Sequence, residues 1–353
     1  MSTDTASKTP MAGGNNRLLW IIIAIVVVIA AVAAYFIFTS GGGGPGTGGP
    51  AVIYDLGGKF DKSFNEAAYN GAEQWKKETG GTYHDLEIQA EAQREQALRK
   101  FAQAGYSPIV VTGFSFVDTV KKVAPDFPKT HFVQIDDVAD LPNVQSVIYK
   151  SQDASYLAGV LAAKTSKTGK VGFVGGMDIP LIHAFYCGYR QGFMATNPAG
   201  EVFENYTGTT AAAWNDPTTA GELAKADFDR GADIVYAAAG GSGLGVIQAA
   251  KDGGKMSIGV DSNQNYLAPG SVLTSVLKRV DVTVYDVFKA GDAGFKPGVV
   301  NLGVAEQGVG LAMDDNNKPL ITADAQAAVD AASKGIGDGT IKVHDYQTDN
   351  QCP

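Results

Sequence analysis

The stretch DLGGKFDKSFNEAAYNG, Asp55–Gly71, decides how the rest of the chain is read. It follows the apolar run Ala51–Tyr54, which has the make-up of a short buried strand. Gly57 and Gly58 then break the chain into a tight loop. Ser63 and Glu66 have the S-x-x-E spacing of a capping box, so a helix is expected to start near Ser63. A strand, a glycine loop and a helix N-terminus make a ligand-facing corner, because open parallel α/β sheets bind ligands beyond the carboxyl ends of their strands. The corner carries Phe60, Asp61, Phe64 and Asn65, aromatic faces beside a carboxylate and an amide. An ordinary βα turn, with Phe64 packed inward as a hydrophobic staple, fits the same residues.

Outward from this corner, short apolar strands alternate with amphipathic helices. Strands are expected at Ala51–Asp55, His84–Ala90, Pro108–Thr112, His131–Ile135 and Val144–Tyr149. Helical spacing marks Ser63–Thr79, Ala92–Ala104 and Phe116–Ala124 between them. Such alternation means a parallel sheet covered by helices on both faces. After a helix at Ala154–Thr165 the pattern restarts at Lys170–Gly175 and runs through strands at Val202–Thr207, Ile234–Ala238, Ser257–Val260 and Leu273–Leu277. The class is therefore α/β, with two Rossmann-like lobes around a hinged interlobe cleft. The N-terminal lobe is expected to hold residues 51–168 and about 281–310, and the C-terminal lobe residues 169–280 and about 311–353, with the change of lobe near residues 165–170.

Leu18–Phe38 is an uninterrupted apolar run. As a helix it would span ~30 Å, the thickness of a bilayer core. Lys8 and Arg17 precede it and no Lys or Arg follows before Lys59, so residues 1–17 are expected in the cytoplasm and the remainder outside. The run exceeds the ~7–15-residue core of a cleaved signal peptide, which favours a single-pass signal-anchor over a cleaved leader. Residues 39–50, rich in glycine, are then expected to form a flexible tether.

The net charge of −9 comes without a Lys/Arg run, which argues against nucleic acid as a partner. Cys187 and Cys352 are too few for a disulfide framework, and Cys187 is expected to be a small buried residue of a helix, with a bridge between the two left open. There is no P-loop and no G-x-S-x-G elbow, and Val246 stands where a dinucleotide fingerprint needs its third glycine. His84, His131, His183 and His344 show no metal-ligand spacing. Neither an enzymatic role nor a cofactor is expected.

Residue types that suit binding recur just past the expected strand ends. Phe114 and Trp214 offer rings for stacking on a flat group. Phe114, Phe116 and Phe185 also fit a core. Asp136 and Asp261 are carboxylates at strand ends, and Asp261 can accept two hydrogen bonds from a vicinal diol. Lys278 can donate to the same hydroxyls and balance the buried carboxylate. Gly240–Gly243 lets backbone N–H groups approach a ligand closely. A flat base with a sugar diol is a nucleoside, and a sugar alone would suit the same groups.

The ordered segments DLGGKFDKSFN, VVTGFSF, QIDD, KVGFVGGMDIP, FYCGYRQGF, WNDP, AAAGGSGLG, IGVDSNQ and TSVLKRVD resemble the basic membrane protein family of substrate-binding proteins. The resemblance covers about Ala51–Ala290. It implies a type I periplasmic-binding-protein fold, here preceded by one transmembrane helix, and a purine nucleoside held between the lobes. It implies permease and ATPase subunits of an ABC importer as partners, and a monomer. On its motifs, Phe60 and Trp214 would sandwich the base, Asn65 and Asp136 would read its edge, and Gly241, Asp261 and Lys278 would hold the ribose. Trp214 stands where the family is expected to carry phenylalanine. A membrane anchor also departs from the lipoproteins and free periplasmic proteins usual in the family, which leaves open a ligand-sensing ectodomain.

Overall fold

The computed structural model of the chain describes residues 48–353. The expected membrane helix at residues 18–38 lies outside the described residues, as do residues 1–17 and most of the linker. Among the described residues no helix is long and apolar enough to cross a membrane.

Two six-stranded sheets organise the fold. The first contains β1 (Ala51–Tyr54), β2 (His84–Glu87), β3 (Ile109–Val111), β4 (Phe132–Ile135) and β5 (Val144–Tyr149), joined by α1 (Phe64–Thr79), α2 (Gln93–Gln103) and α3 (Val117–Val123). The second contains β6 (Lys170–Met177), β7 (Glu201–Gly208), β8 (Ile234–Ala238), β9 (Met256–Asp261) and β10 (Val272–Lys278). Its helices are α4 (Ser151–Thr165), α5 (Pro180–Thr196), α6 (Pro217–Asp229) and α7 (Gly243–Asp252). After α8 (Val280–Gly294), β11 (Gly298–Leu302) completes the first sheet and β12 (Val309–Leu311) the second, followed by α9 (Ala323–Gly337). The strand orders are β11-β5-β4-β3-β1-β2 and β12-β10-β9-β8-β6-β7. Among the described residues, only β12 runs antiparallel to its neighbour.

Alternation of side chains along the strands explains why both sheet faces are covered. In β1, Ala51 and Ile53 pack under α2 and α3 with Leu98, Phe116 and Phe132. Val52 and Tyr54 face the other way, into a larger core that includes Leu157, Phe173, Tyr189 and Tyr236. The chain passes between the lobes three times, at Tyr149–Ser151, Lys278–Val280 and Leu302–Val309. The first passage lies earlier than residues 165–170, because α4 packs on α5 and α9 of the second lobe. Three glycines set the α4–α5 distance. A Cβ at Gly159, Gly188 or Gly192 would stand 2.1, 2.3 or 2.0 Å from a backbone carbonyl oxygen of the facing helix.

Cys187 is fully buried, as expected, and the bridge left open by the sequence forms. It forms a disulfide with Cys352, with Cα atoms 5.3 Å apart across a sequence separation of 165. The polar tail after α9 turns back along α5, a path that its composition does not disclose.

The Gly192→Ala variant is expected to lose ~1–3 kcal/mol of stability through backbone overpacking. Gly337→Ala, where a Cβ meets nothing within 4 Å, is the control. Urea unfolding reads both, and equal midpoints would contradict this account of the α4–α5 contact.

Candidate functional site

The cavity lies where the carboxyl ends of the two sheets face each other. It encloses about 610 Å³ including its open mouth. The first lobe contributes Asp55 and Leu56 after β1, Asp61, Phe64 and Asn65 at the start of α1, Gly113 and Phe114 after β3, and Asp136 after β4. The second contributes Leu181, Ile182 and Phe185 from α5, Trp214 after β7, Ala238 and Gly240 at β8, Val260 and Asp261 at β9, and Lys278 at the end of β10.

Asp136 and Asp261 occupy comparable places in the two lobes. Both have left-handed backbone, with φ of 74° and 62°. Aspartate tolerates this conformation better than most residues, and the reversed turn aims each carboxylate into the cleft. Lys278 Nζ donates to Asp136 Oδ2 at 2.5 Å, and the two side chains are only 4% and 5% exposed. The same ammonium stands 4.7 Å from the centroid of the Phe64 ring, a cation–π contact. Burial pushes the Asp136 and Asp261 carboxyls above the usual carboxylate range, and the Lys278 ammonium opposes that rise. Among the described residues, nothing donates a hydrogen bond to Asp136 Oδ1 or Asp261 Oδ1. The cavity thus presents one ammonium and two open carboxylate oxygens beside aromatic walls.

The expected capping box at Ser63 does not form; Ser63 makes no side-chain cap. Asp61 takes that role, its carboxylate accepting from the backbone N–H groups of Ser63, Asn65 and Glu66 at 2.8, 3.0 and 3.1 Å. Burial pushes the Asp61 carboxyl up to about 7 against the pull of these amides. The substitution frees Ser63 to bond across the cleft. Its hydroxyl donates to Asp261 Oδ2 at 2.5 Å, and its carbonyl accepts from the Ser262 hydroxyl at 2.8 Å. Gln264 Nε2 donates to the Lys62 carbonyl at 3.0 Å beside them. Ser63 had no signal in the sequence beyond its capping position.

Eight of the ten expected residues line the cavity: Asp61, Phe64, Asn65, Phe114, Asp136, Trp214, Asp261 and Lys278. Phe60 does not. It is 60% exposed, edge-on to Tyr69 with ring centroids 5.1 Å apart. Asp61 turns inward to cap α1, which sends its neighbour outward. Gly241 is buried behind the wall, where a Cβ would lie 3.2 Å from the Trp214 carbonyl, and Gly240, with φ of 56°, faces the cavity instead. Asn65 lines the cavity, but its amide donates to the carbonyls of Asp55 and Gly58 and its oxygen accepts from Thr112 Oγ1. It braces the loop. Leu181, Ile182 and Phe185 are the main additions, and an apolar helix face gives no sequence cue that it borders a cavity. The Trp214 ring packs over Gly176, where a Cβ would stand 2.2 Å from it.

The family described as "ABC transporter substrate-binding protein PnrA-like" (Bmp) matches residues 51–346. The CD4+ T-cell-stimulating antigen of Listeria monocytogenes is 34% identical over 320 residues, covering 83% of this chain and 87% of the relative. The ABC transporter nucleoside-binding protein BmpA of Lactococcus lactis is 33% identical over 319 residues, covering 83% of this chain and 88% of that one. A solved ABC transporter solute-binding protein from Aeropyrum pernix superposes with a TM-score of 0.77 at 29% identity, over 86% of this chain and 94% of its own. With the two-lobed architecture and the cleft between the strand ends, these likenesses establish that the chain belongs to the Bmp family of PnrA-like ABC transporter substrate-binding proteins.

Proposed function

We propose that the chain captures a purine nucleoside between its lobes and hands it to an ABC importer. As a member of its family it is a binding protein, not an enzyme. The observation that carries the ligand class is the pairing of unlike walls in one cavity. Phe64 and Trp214 offer flat apolar faces, while Asp136, Asp261 and Lys278 gather two open acceptor oxygens and an ammonium. Aromatic faces suit a base, and acceptors beside an ammonium suit ribose hydroxyls. The name of the Lactococcus lactis relative, a nucleoside-binding protein, supports the same class. In this reading Phe64, rather than Phe60, stacks on the base opposite Trp214. Asp261 and Lys278 hold the ribose, and Asp136 orients Lys278. The apolar run 18–38 tethers a monomeric binding domain to the outer face of the membrane, in keeping with its hydropathy and flanking charges.

Calorimetric titration with adenosine, guanosine, inosine, uridine and ribose tests the proposal. Purine nucleosides are expected to bind. Asp261→Ala should weaken binding at least tenfold, since a hydrogen bond to a charged group contributes ~1.5–3 kcal/mol. Trp214→Ala should weaken it by a similar factor, and Phe60→Ala should stay within about twofold of the parent. Ribose binding without nucleoside binding would move the ligand to sugars, and silence across the panel would remove the proposed ligand class.

The raised carboxyls give a pH dependence. The ligand needs Asp136 and Asp261 ionised as acceptors, so protonation competes with binding. Affinity should be highest on the alkaline side and fall as pH drops. The fall should begin above the ordinary carboxylate range of about 4, by at most tenfold per pH unit for each proton taken up. A flat profile down to that range would contradict the role given to these carboxylates.

A further inference from the structure

The helix α5 has two working faces. At 100° per residue, Leu181, Ile182 and Phe185 lie on one side of its N-terminal half and His183, Cys187 and Arg190 lie roughly opposite. The first set borders the cavity. The second set is covered by the end of the chain.

The covering contacts run along the helix. The His183 ring stacks on Tyr346 with centroids 4.6 Å apart and planes 20° from parallel. Cys187 is bonded to Cys352. Arg190 donates to the carbonyl of Pro353. At the next residue, Gln191 Nε2 donates to the His344 carbonyl at 3.0 Å, and the His344 amide donates back to Gln191 Oε1 at 2.9 Å.

Gly188 and Gly192 seat the middle and C-terminal turns of α5 directly on α4. At the start of the helix, Ile179 supplies no side-chain cap. His183 is held in place from its other side by Asp178 and the Tyr206 hydroxyl, both at 2.7 Å. We infer that the C-terminal strap, through Tyr346 on His183 and Cys352 on Cys187, positions the α5 wall of the ligand cavity. Tyr346 and Cys352 touch no cavity atom and act through α5, so they are positioning residues. The inference rests on the cavity being the ligand site, as read above.

The test uses the full chain and its Tyr346→Ala, Tyr346→Phe and Cys352→Ala variants. Hydrogen exchange is read without ligand, and adenosine and guanosine affinities are read by calorimetry at a temperature where circular dichroism shows all four folded. Tyr346→Ala and Cys352→Ala should exchange at least tenfold faster at the amides of Ile182–Phe185, with β8 amides unchanged, and bind nucleoside about tenfold more weakly. Tyr346→Phe keeps the stacking ring and should match the parent in both. Parent-like exchange at Ile182–Phe185 in both disruptive variants would overturn the inference, as would faster exchange spread evenly over the chain. If the parent itself binds neither nucleoside, the nucleoside reading fails, and the exchange measurement still decides the strap.

Discussion

One buried ammonium governs this cleft. Lys278 ends β10 of the second lobe and meets Asp136 of the first, with Asp261 open beside it. A charge this deep is tolerable only with a partner, and the partner belongs to the other lobe. The ion pair therefore ties the lobes together across the cavity. Separating the lobes would leave Asp136 without its counter-ion until water reached it. Closing them restores the pair and leaves acceptor oxygens turned inward.

The remaining cleft contacts follow from how each lobe ends its strands. Left-handed backbone at Asp136 and Asp261 turns a side chain at a strand end into the gap. Asp61 caps α1 in place of Ser63, and Ser63 reaches Asp261. One local choice in the first loop thus decides which side chain crosses the cleft. It also decides that Phe60 points to solvent. The three passages of chain between the lobes allow a hinge without letting the faces slide far out of register.

Much of this was legible in the sequence because it depended on periodicity. The strands at Val144–Tyr149 and Ile234–Ala238 have the bounds expected of them. Asp136, Asp261 and Lys278 were legible as polar groups directly after such strands. What stayed hidden depended on direction and on distant partners. Phe60 and Phe64 share one loop, and only the inward turn of Asp61 separates their fates. The first passage between lobes was read too late because α4 carries no mark of the sheet on which it packs. The tail that bridges to Cys187 reads as an ordinary polar terminus, since two cysteines 165 residues apart leave no pattern between them.

The central claim is that Asp261 and Lys278 grip a nucleoside's sugar while Phe64 and Trp214 hold its base. A crystal structure of the chain with its tightest-binding nucleoside tests it most directly. The account predicts ribose hydroxyls within hydrogen-bond distance of Asp261 Oδ1 and Lys278 Nζ, with the base between the Phe64 and Trp214 rings. A nucleoside bound with its sugar away from Asp261, or outside this cavity, would contradict it.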